Sequence, residues 1–292
     1  MKRKSQSGNR GLGTLCIVLL LVLVGLLAIA GYLPEGTMPL PTEPATQPST
    51  EHPTTVPTEI PTDAPTETPT TPETEPTAQP TEKKLVVIDP GHQASANYDK
   101  EPVGPGATEL KTKVSSGTEG VATGLEEYRL NLMVAQKLQA ILSGRGYEVV
   151  MIRTDHDVNI SNAERAQIAN RLNADAFIRI HANGSEDRET NGILTICQTE
   201  SNPYNNTLYE ACYRLSESVL DAMVETTGAQ RLYVWQTDTM SGINWCQVPV
   251  TIVEMGFMSN PEEDRKMATD AYQQLLALGI ANGIEHYFES MG

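Results

Sequence analysis

The chain has 292 residues, a formal net charge of -16 and 19 prolines, and none of these is spread evenly. Residues 1–32 carry four bases and no acid, residues 33–82 carry nine acids with 13 of the prolines and no Lys or Arg, and residues 83–292 hold the remaining -11. One uniform domain is excluded, and so is nucleic-acid binding through a basic surface.

From residue 11 to residue 33 there is no charge, and 23 residues suffice to cross a hydrocarbon layer of ~30 Å as a helix. Bases flank this run only on its N-terminal side, so residues 1–10 are expected in the cytoplasm, 11–33 as a transmembrane signal anchor, and everything beyond outside the cell. The expected localisation is the cell membrane, single-pass. The small-x-small triplet Ala28-Ile29-Ala30 offers the alternative of cleavage after Ala30 and secretion. Residues 34–82 repeat a Pro-Thr-Glu pattern, as in Pro57-Thr58-Glu59 and Pro65-Thr66-Glu67. With almost no apolar side chains they cannot offset ordering entropy, which predicts a disordered, extended linker. Beyond the apolar run only Cys197, Cys212 and Cys246 remain, an odd number without a C-x-x-C, so neither a disulfide framework nor a zinc knot organises the fold.

Residues 83–292 are long enough for one substantial core. Residues 84–89, KLVVID, read as a buried strand that stops at Pro90-Gly91-His92. The stretch 97–124, rich in Gly, Ser, Thr and charge, reads as a loop. A helix is predicted over 126–143 from the stripe Leu130, Val134, Leu138, Ile141 and Leu142, with Gly144 and Gly146 ending it. A strand over 147–152 follows, then Ser161-Asn162-Ala163-Glu164 in capping-box form opens a second helix. Residues 174–180 form a strand running into His181, residues 192–197 another, 204–226 a long helix and 231–235 a short strand. A last buried strand, 248–253, leads to Glu254, and Asn260-Pro261 opens a helical C-terminal section ending near Phe288. The expected fold is α/β: a single three-layer domain with a mixed, mostly parallel sheet of about six strands flanked by four or five helices.

Three strand-like runs thus deliver His92, His181 and Glu254 at their C-terminal ends, the edge where open α/β sheets bind ligands. Two histidines at equivalent positions point to a metal, and a catalytic zinc takes three N and O ligands while leaving a position open. Glu126 and Glu127 both offer the carboxylate at the start of the helix. At ~100° per residue Glu127 falls on the core-facing stripe, where a carboxylate needs a cationic partner, and Glu126 turns toward solvent. Glu254 in its apolar setting suits a general base and then a general acid. His156, in the polar Thr154-Asp155-His156-Asp157 loop, reads as a surface residue, and His286 as surface or packing. Asp89, Arg165 and Asn183 read as supports for the turns and ligands.

The segments VVIDPGH, GLEEYRLNLMVAQKL, ADAFIRIHANGS and VPVTIVEMGFMSNPEE, in that order, resemble the zinc-dependent N-acetylmuramoyl-L-alanine amidases, the type-3 amidase family of bacterial cell-wall turnover. The resemblance implies one Zn2+ held by His92, Glu127 and His181, Glu254 as the catalytic acid/base, and peptidoglycan as substrate, cut between N-acetylmuramic acid and L-alanine. Beyond peptidoglycan, the expected partner is the membrane through the N-terminal helix, with no nucleic acid, and a monomer is expected. Two features depart from the family pattern. The 34 residues between His92 and Glu127 exceed those of shorter members, and Gln93 stands where a second Gly is usual. The short loop after His181 leaves no room for the helix that blocks the site in some members, which implies activity without an activator. A zinc peptidase acting within the stem peptide, or a non-catalytic wall-binding domain of the same fold, are the alternatives.

Overall fold

The computed structural model describes residues 83–291. The expected membrane anchor (11–33) and linker (34–82) lie outside the described residues, and among those described no helix is long and apolar enough to cross a membrane. Six strands form one sheet in the order β4-β1-β5-β8-β6-β7. They are β1 (Leu85–Pro90), β4 (Glu148–Met151), β5 (Ala176–Asn183), β6 (Ile193–Cys197), β7 (Arg231–Gln236) and β8 (Val250–Phe257). β1 pairs in parallel with β4 and β5, β5 with β8, and β6 with β7; within this sheet only the β6–β8 pair is antiparallel. The sheet is therefore mixed and mostly parallel, as expected.

Alternation along the strands builds two apolar layers. Val86 and Ile88 of β1, Ile178 and Ile180 of β5, and Val253 and Met255 of β8 pack with α1 (Glu127–Gly144), α3 (Tyr209–Thr227) and α6 (Asp270–Met291). Val87, Phe177, Val250 and Ile252 point the other way, toward α2 (Asn162–Arg171) and α4 (Ser241–Asn244). This is the three-layer arrangement, with strands buried on both faces reading as continuous apolar runs. The capping box at Ser161 is present in full: its side chain accepts from the Glu164 amide and Glu164 reaches back to the Ser161 amide.

Four expectations change. The stretch 97–124 is not a plain loop, because β2 (Asn97–Pro102) and β3 (Leu110–Val114) pair there as an antiparallel hairpin. Its charged, Gly-bounded sequence hides the alternation that marks a half-buried strand. β5 and β8 run on through His181 and Glu254, so both side chains stand on strands and not in the turns after them. The C-terminal helical section is two helices, α5 (Pro261–Met267) and α6, and α4 is an unexpected single turn. The long helix predicted from residue 204 begins as a 3-10 turn at Asn206–Leu208 before α3.

Candidate active site

The sheet register does the positioning. β5 pairs with β8 so that His181 stands opposite Glu254, and β1 delivers the turn after Pro90 to the same edge. His92 and His181 come from strand ends, and Glu127 from the first residue of α1, as its place on the core-facing stripe predicts; Glu127 is buried, whereas Glu126 sits at the helix cap paired with Arg129. The Nε2 of His92, the Nδ1 of His181 and Oε1 of Glu127 form a triangle with edges of 3.1, 3.2 and 3.1 Å. These three residues are a group that could hold a metal ion. A tetrahedral ion with bonds of ~2.0–2.1 Å separates its donors by about 3.3–3.4 Å, close to the triangle observed. Two ring nitrogens directed at one carboxylate oxygen are the donor set that zinc prefers.

The surroundings orient each donor. His92 has φ +61°, and its Nδ1 lies 2.9 Å from the carbonyl oxygen and 3.1 Å from the hydroxyl of Ser115, just past β3. Donation from Nδ1 to that carbonyl leaves the Nε2 lone pair aimed at the centre. Glu127 Oε1 accepts from the Ala182 amide (3.1 Å) and from Asn131 Nδ2 (3.3 Å), and its Oε2 accepts from the Thr118 amide (2.9 Å). Two glycines make the space. A Cβ at Gly91 would run into the His181 imidazole, and one at Gly117, which has φ +88°, would come within 2.6 Å of Glu127 Oε2.

The electrostatics divide the two acids. Burial opposes ionisation of Glu127, but the two imidazoles beside it outweigh that and hold its carboxyl well below the usual range. Burial drives the His181 imidazole down to about 4, so it is neutral and ligand-ready near neutral pH. Burial, and then the nearby charge of Glu127, push Glu254 well above the usual carboxylate range, with Arg179 opposing. Glu254 Oε2 is buried with no hydrogen-bond partner, and so is the Nε2 of His181. A cation among the three donors would answer the Glu127 charge and bring Glu254 back down, so the residues present fit a metal.

Beneath the site lies an ion network. Asp89 accepts from Arg165 Nη1 at 2.6 Å and from Arg179 Nε at 2.8 Å, and all three side chains are buried. Burial alone would raise Asp89, but the two guanidinium groups outweigh it and hold the carboxyl well below its usual range. Arg165 also donates to the carbonyls of Pro90 and His92 and to Gln93 Oε1, and Arg153 donates to the carbonyls of Pro90, Gly91 and Tyr128. Burial draws Arg153 down to about 10.

Asp89 and Arg165 therefore secure the turn that carries His92 and touch none of the three donor side chains. Asn183 accepts from the Gly184 amide through its side chain and from the Met258 amide through its carbonyl, closing the turn after His181. Gln93, where the family pattern has Gly, is buried; it joins the Arg165 network and the Ile160 amide. His156 is not a plain surface residue: it is half-buried, edge-on to Tyr128 at 5.2 Å, and burial lowers its pKa. His286 is exposed. Sequence reasoning missed Ser115, Asn131, Arg153 and Arg179 as supports. Arg179 carried a signal, a lone cation inside the apolar run ADAFIRI; Ser115 carried none, because its partner lies 23 residues away.

The chain is 25% identical to the N-acetylmuramoyl-L-alanine amidase AmiA of Salmonella typhimurium, across 70% of this chain and 76% of that protein. Among solved structures it is similar to the N-acetylmuramyl-L-alanine amidase Ami1 of Mycobacterium smegmatis, with a TM-score of 0.65 and 26% identity over 71% of this chain and 97% of that one. It is likewise similar to the N-acetylmuramoyl-L-alanine amidase of Clostridium difficile 630, with a TM-score of 0.61 and 27% identity over 73% and 100% of the two chains. The sequence model of the type-3 amidases, described as N-acetylmuramoyl-L-alanine amidase, matches residues 86–286, and the chain belongs to that family.

Proposed function

We propose that the chain is a zinc-dependent peptidoglycan amidase whose ion is held by His92, Glu127 and His181, with Glu254 as its acid/base. One observation carries the reading: three donor atoms converge at 3.1–3.2 Å, and Glu254 stands on the next strand opposite His181. Zinc bound there supplies Lewis acidity toward water and toward the scissile carbonyl. The residues of the chain do the rest. Ser115 fixes the His92 tautomer, and the Ala182 and Thr118 amides and Asn131 fix the Glu127 carboxylate. Glu254 Oε2, buried and without a partner, takes the proton of the attacking water and passes one to the departing L-alanine nitrogen. The bond cut is the amide between N-acetylmuramic acid and L-alanine. A peptidase within the stem and a non-catalytic wall binder are disfavoured by the family match and by the complete set of site residues.

The charge and apolar patterns support the placement of this activity: residues 11–33 as a retained single-pass anchor, 34–82 as a spacer, and 83–292 as the catalytic domain outside the cell, while the short loop after His181 supports action without an activator. Mass spectrometry of digested peptidoglycan tests the chemistry. New L-alanine amino termini on intact stems are expected, and cuts inside stems would overturn it. Glu254→Gln should keep its zinc and lose turnover; a variant that still digests peptidoglycan removes Glu254 from the role.

A further inference from the structure

Backbone pairing lays one row of residues across the sheet at the level of the active site. His181 stands opposite Glu254, and Glu254 opposite Leu194 of β6. On the next strand Ile193 pairs with Arg231 and Thr195 with Val234, so a bulge sets Leu232 and Tyr233 of β7 against Leu194. Faces follow from the same pairs. Ile196 is opposite both Ile252 and Trp235, and side chains two apart on a strand share a face, so Trp235 and Tyr233 lie on the Glu254 side of the sheet. At ~4.8 Å per strand the Tyr233 backbone is about 10 Å from that of Glu254.

Along this row the accessibility changes abruptly. Leu194 and Ile196 are covered, whereas Tyr233 is 57% and Trp235 42% exposed, on the outermost strand of the sheet. Two large aromatic side chains kept in water at alternate positions of a strand form a flat apolar stripe, two strands away from Glu254 and beyond the covered Leu194. The stripe is uncharged. The single cation of β7, Arg231, is turned to the α3 side and paired with Asp221 at 2.6 Å. A stem peptide, with its carboxylates, would call for free cations here, whereas the C–H faces of pyranose rings match exposed aromatic rings and need none.

We propose that Tyr233 and Trp235 form a glycan-stacking subsite, which holds sugar rings of the peptidoglycan strand beside Glu254 while the muramoyl amide is cut. The proposal rests on the amidase reading. Its test compares two substrates of the full-length chain: soluble glycan strands bearing stem peptides, and a single N-acetylmuramoyl-peptide with no neighbouring sugars. Tyr233→Thr with Trp235→Thr, which keeps β-forming residues on the edge, should raise KM for the strands by about tenfold, leave kcat for the strands nearly unchanged, and leave both constants for the monosaccharide substrate as they are. Equal changes on both substrates, or none on the strands, overturn it. Failure of the unaltered enzyme on both substrates would instead remove the amidase reading itself.

A binding readout is independent of turnover. The chain has two tryptophans, and Trp245 is half-buried with its Nε1 donating to the Pro102 carbonyl at 2.9 Å. Titration with an N-acetylglucosamine tetramer should alter the tryptophan emission of the unaltered protein and not that of Trp235→Thr. An equal response in both overturns the proposal, as does a response to free stem peptide alone. A fall in sedimenting mass in the double variant would make the edge a self-association surface, which also overturns it.

Discussion

Replacing Asp89 by Asn removes one charge and almost no volume, at a position with no accessible surface. It leaves Arg165 and Arg179, also buried, without their shared counter-ion, and Arg153 is already depressed by burial and by Arg165. Breaking a buried pair by removing one partner costs about 3–5 kcal/mol, because the remaining charge is stranded. Against a total stability of about 5–15 kcal/mol this is large. At roughly 2–4 °C per kcal/mol for a domain of this size, the melting temperature of Asp89→Asn should fall by about 6–20 °C. Calorimetry at pH 7 measures it. Adding Arg179→Met to Asp89→Asn should recover part of the loss, since one stranded charge goes with it. The pH dependence has a fixed sign. The folded-state pKa of Asp89 is depressed, so its stabilisation is complete above its unfolded value of ~3.9 and is lost as pH falls through and below that value. The gap between the two proteins should therefore narrow below about pH 4. A fall of less than about 2 °C at pH 7, or a gap indifferent to acid, would refute the reasoning.

Other outcomes follow from single contacts. Gly91→Ala puts a methyl group into the His181 ring and should weaken metal binding by about 10–100-fold with little change in far-UV dichroism; undiminished metal content after dialysis would contradict this. Ser161→Ala removes the amide acceptor of the capping box and should cost about 1 kcal/mol in urea denaturation, and a change within error would show that the cap is dispensable. Cys197, Cys212 and Cys246 are all buried, and burial pushes the Cys197 thiol up to about 12, so these three thiols should resist, in the native protein, a reagent at pH 8 that labels them in urea. Rapid labelling without denaturant would count against the packing around them.

How much of this was legible in the chain differs residue by residue. His92, Glu127, His181 and Glu254 could be named from sequence because each follows or joins a strongly periodic apolar segment, and because one helical face distinguishes Glu127 from Glu126. The same periodicity located β1, β4, β5, β6, β7 and β8, and Ser161 and Glu164 marked the start of α2 through a contact three residues long. The β2–β3 hairpin was missed. More than half of its residues are charged or face water, and it is held from elsewhere, with Glu101 accepting from the Ala163 amide and Ser241, and Trp245 donating to the Pro102 carbonyl.

Local pattern determined which segments are strands and helices, which side of α1 enters the core, and which four side chains stand at strand and helix ends. Tertiary structure alone decided that β5 and β8 are neighbours with His181 opposite Glu254, that Ser115 reaches His92, that Asp89 gathers Arg165 and Arg179, and that Tyr233 falls on the Glu254 row. The physical reason is range. Helical and strand periodicity are read over a few consecutive residues, whereas strand order, register and buried ion pairs depend on contacts between segments tens of residues apart, whose closure no local pattern records.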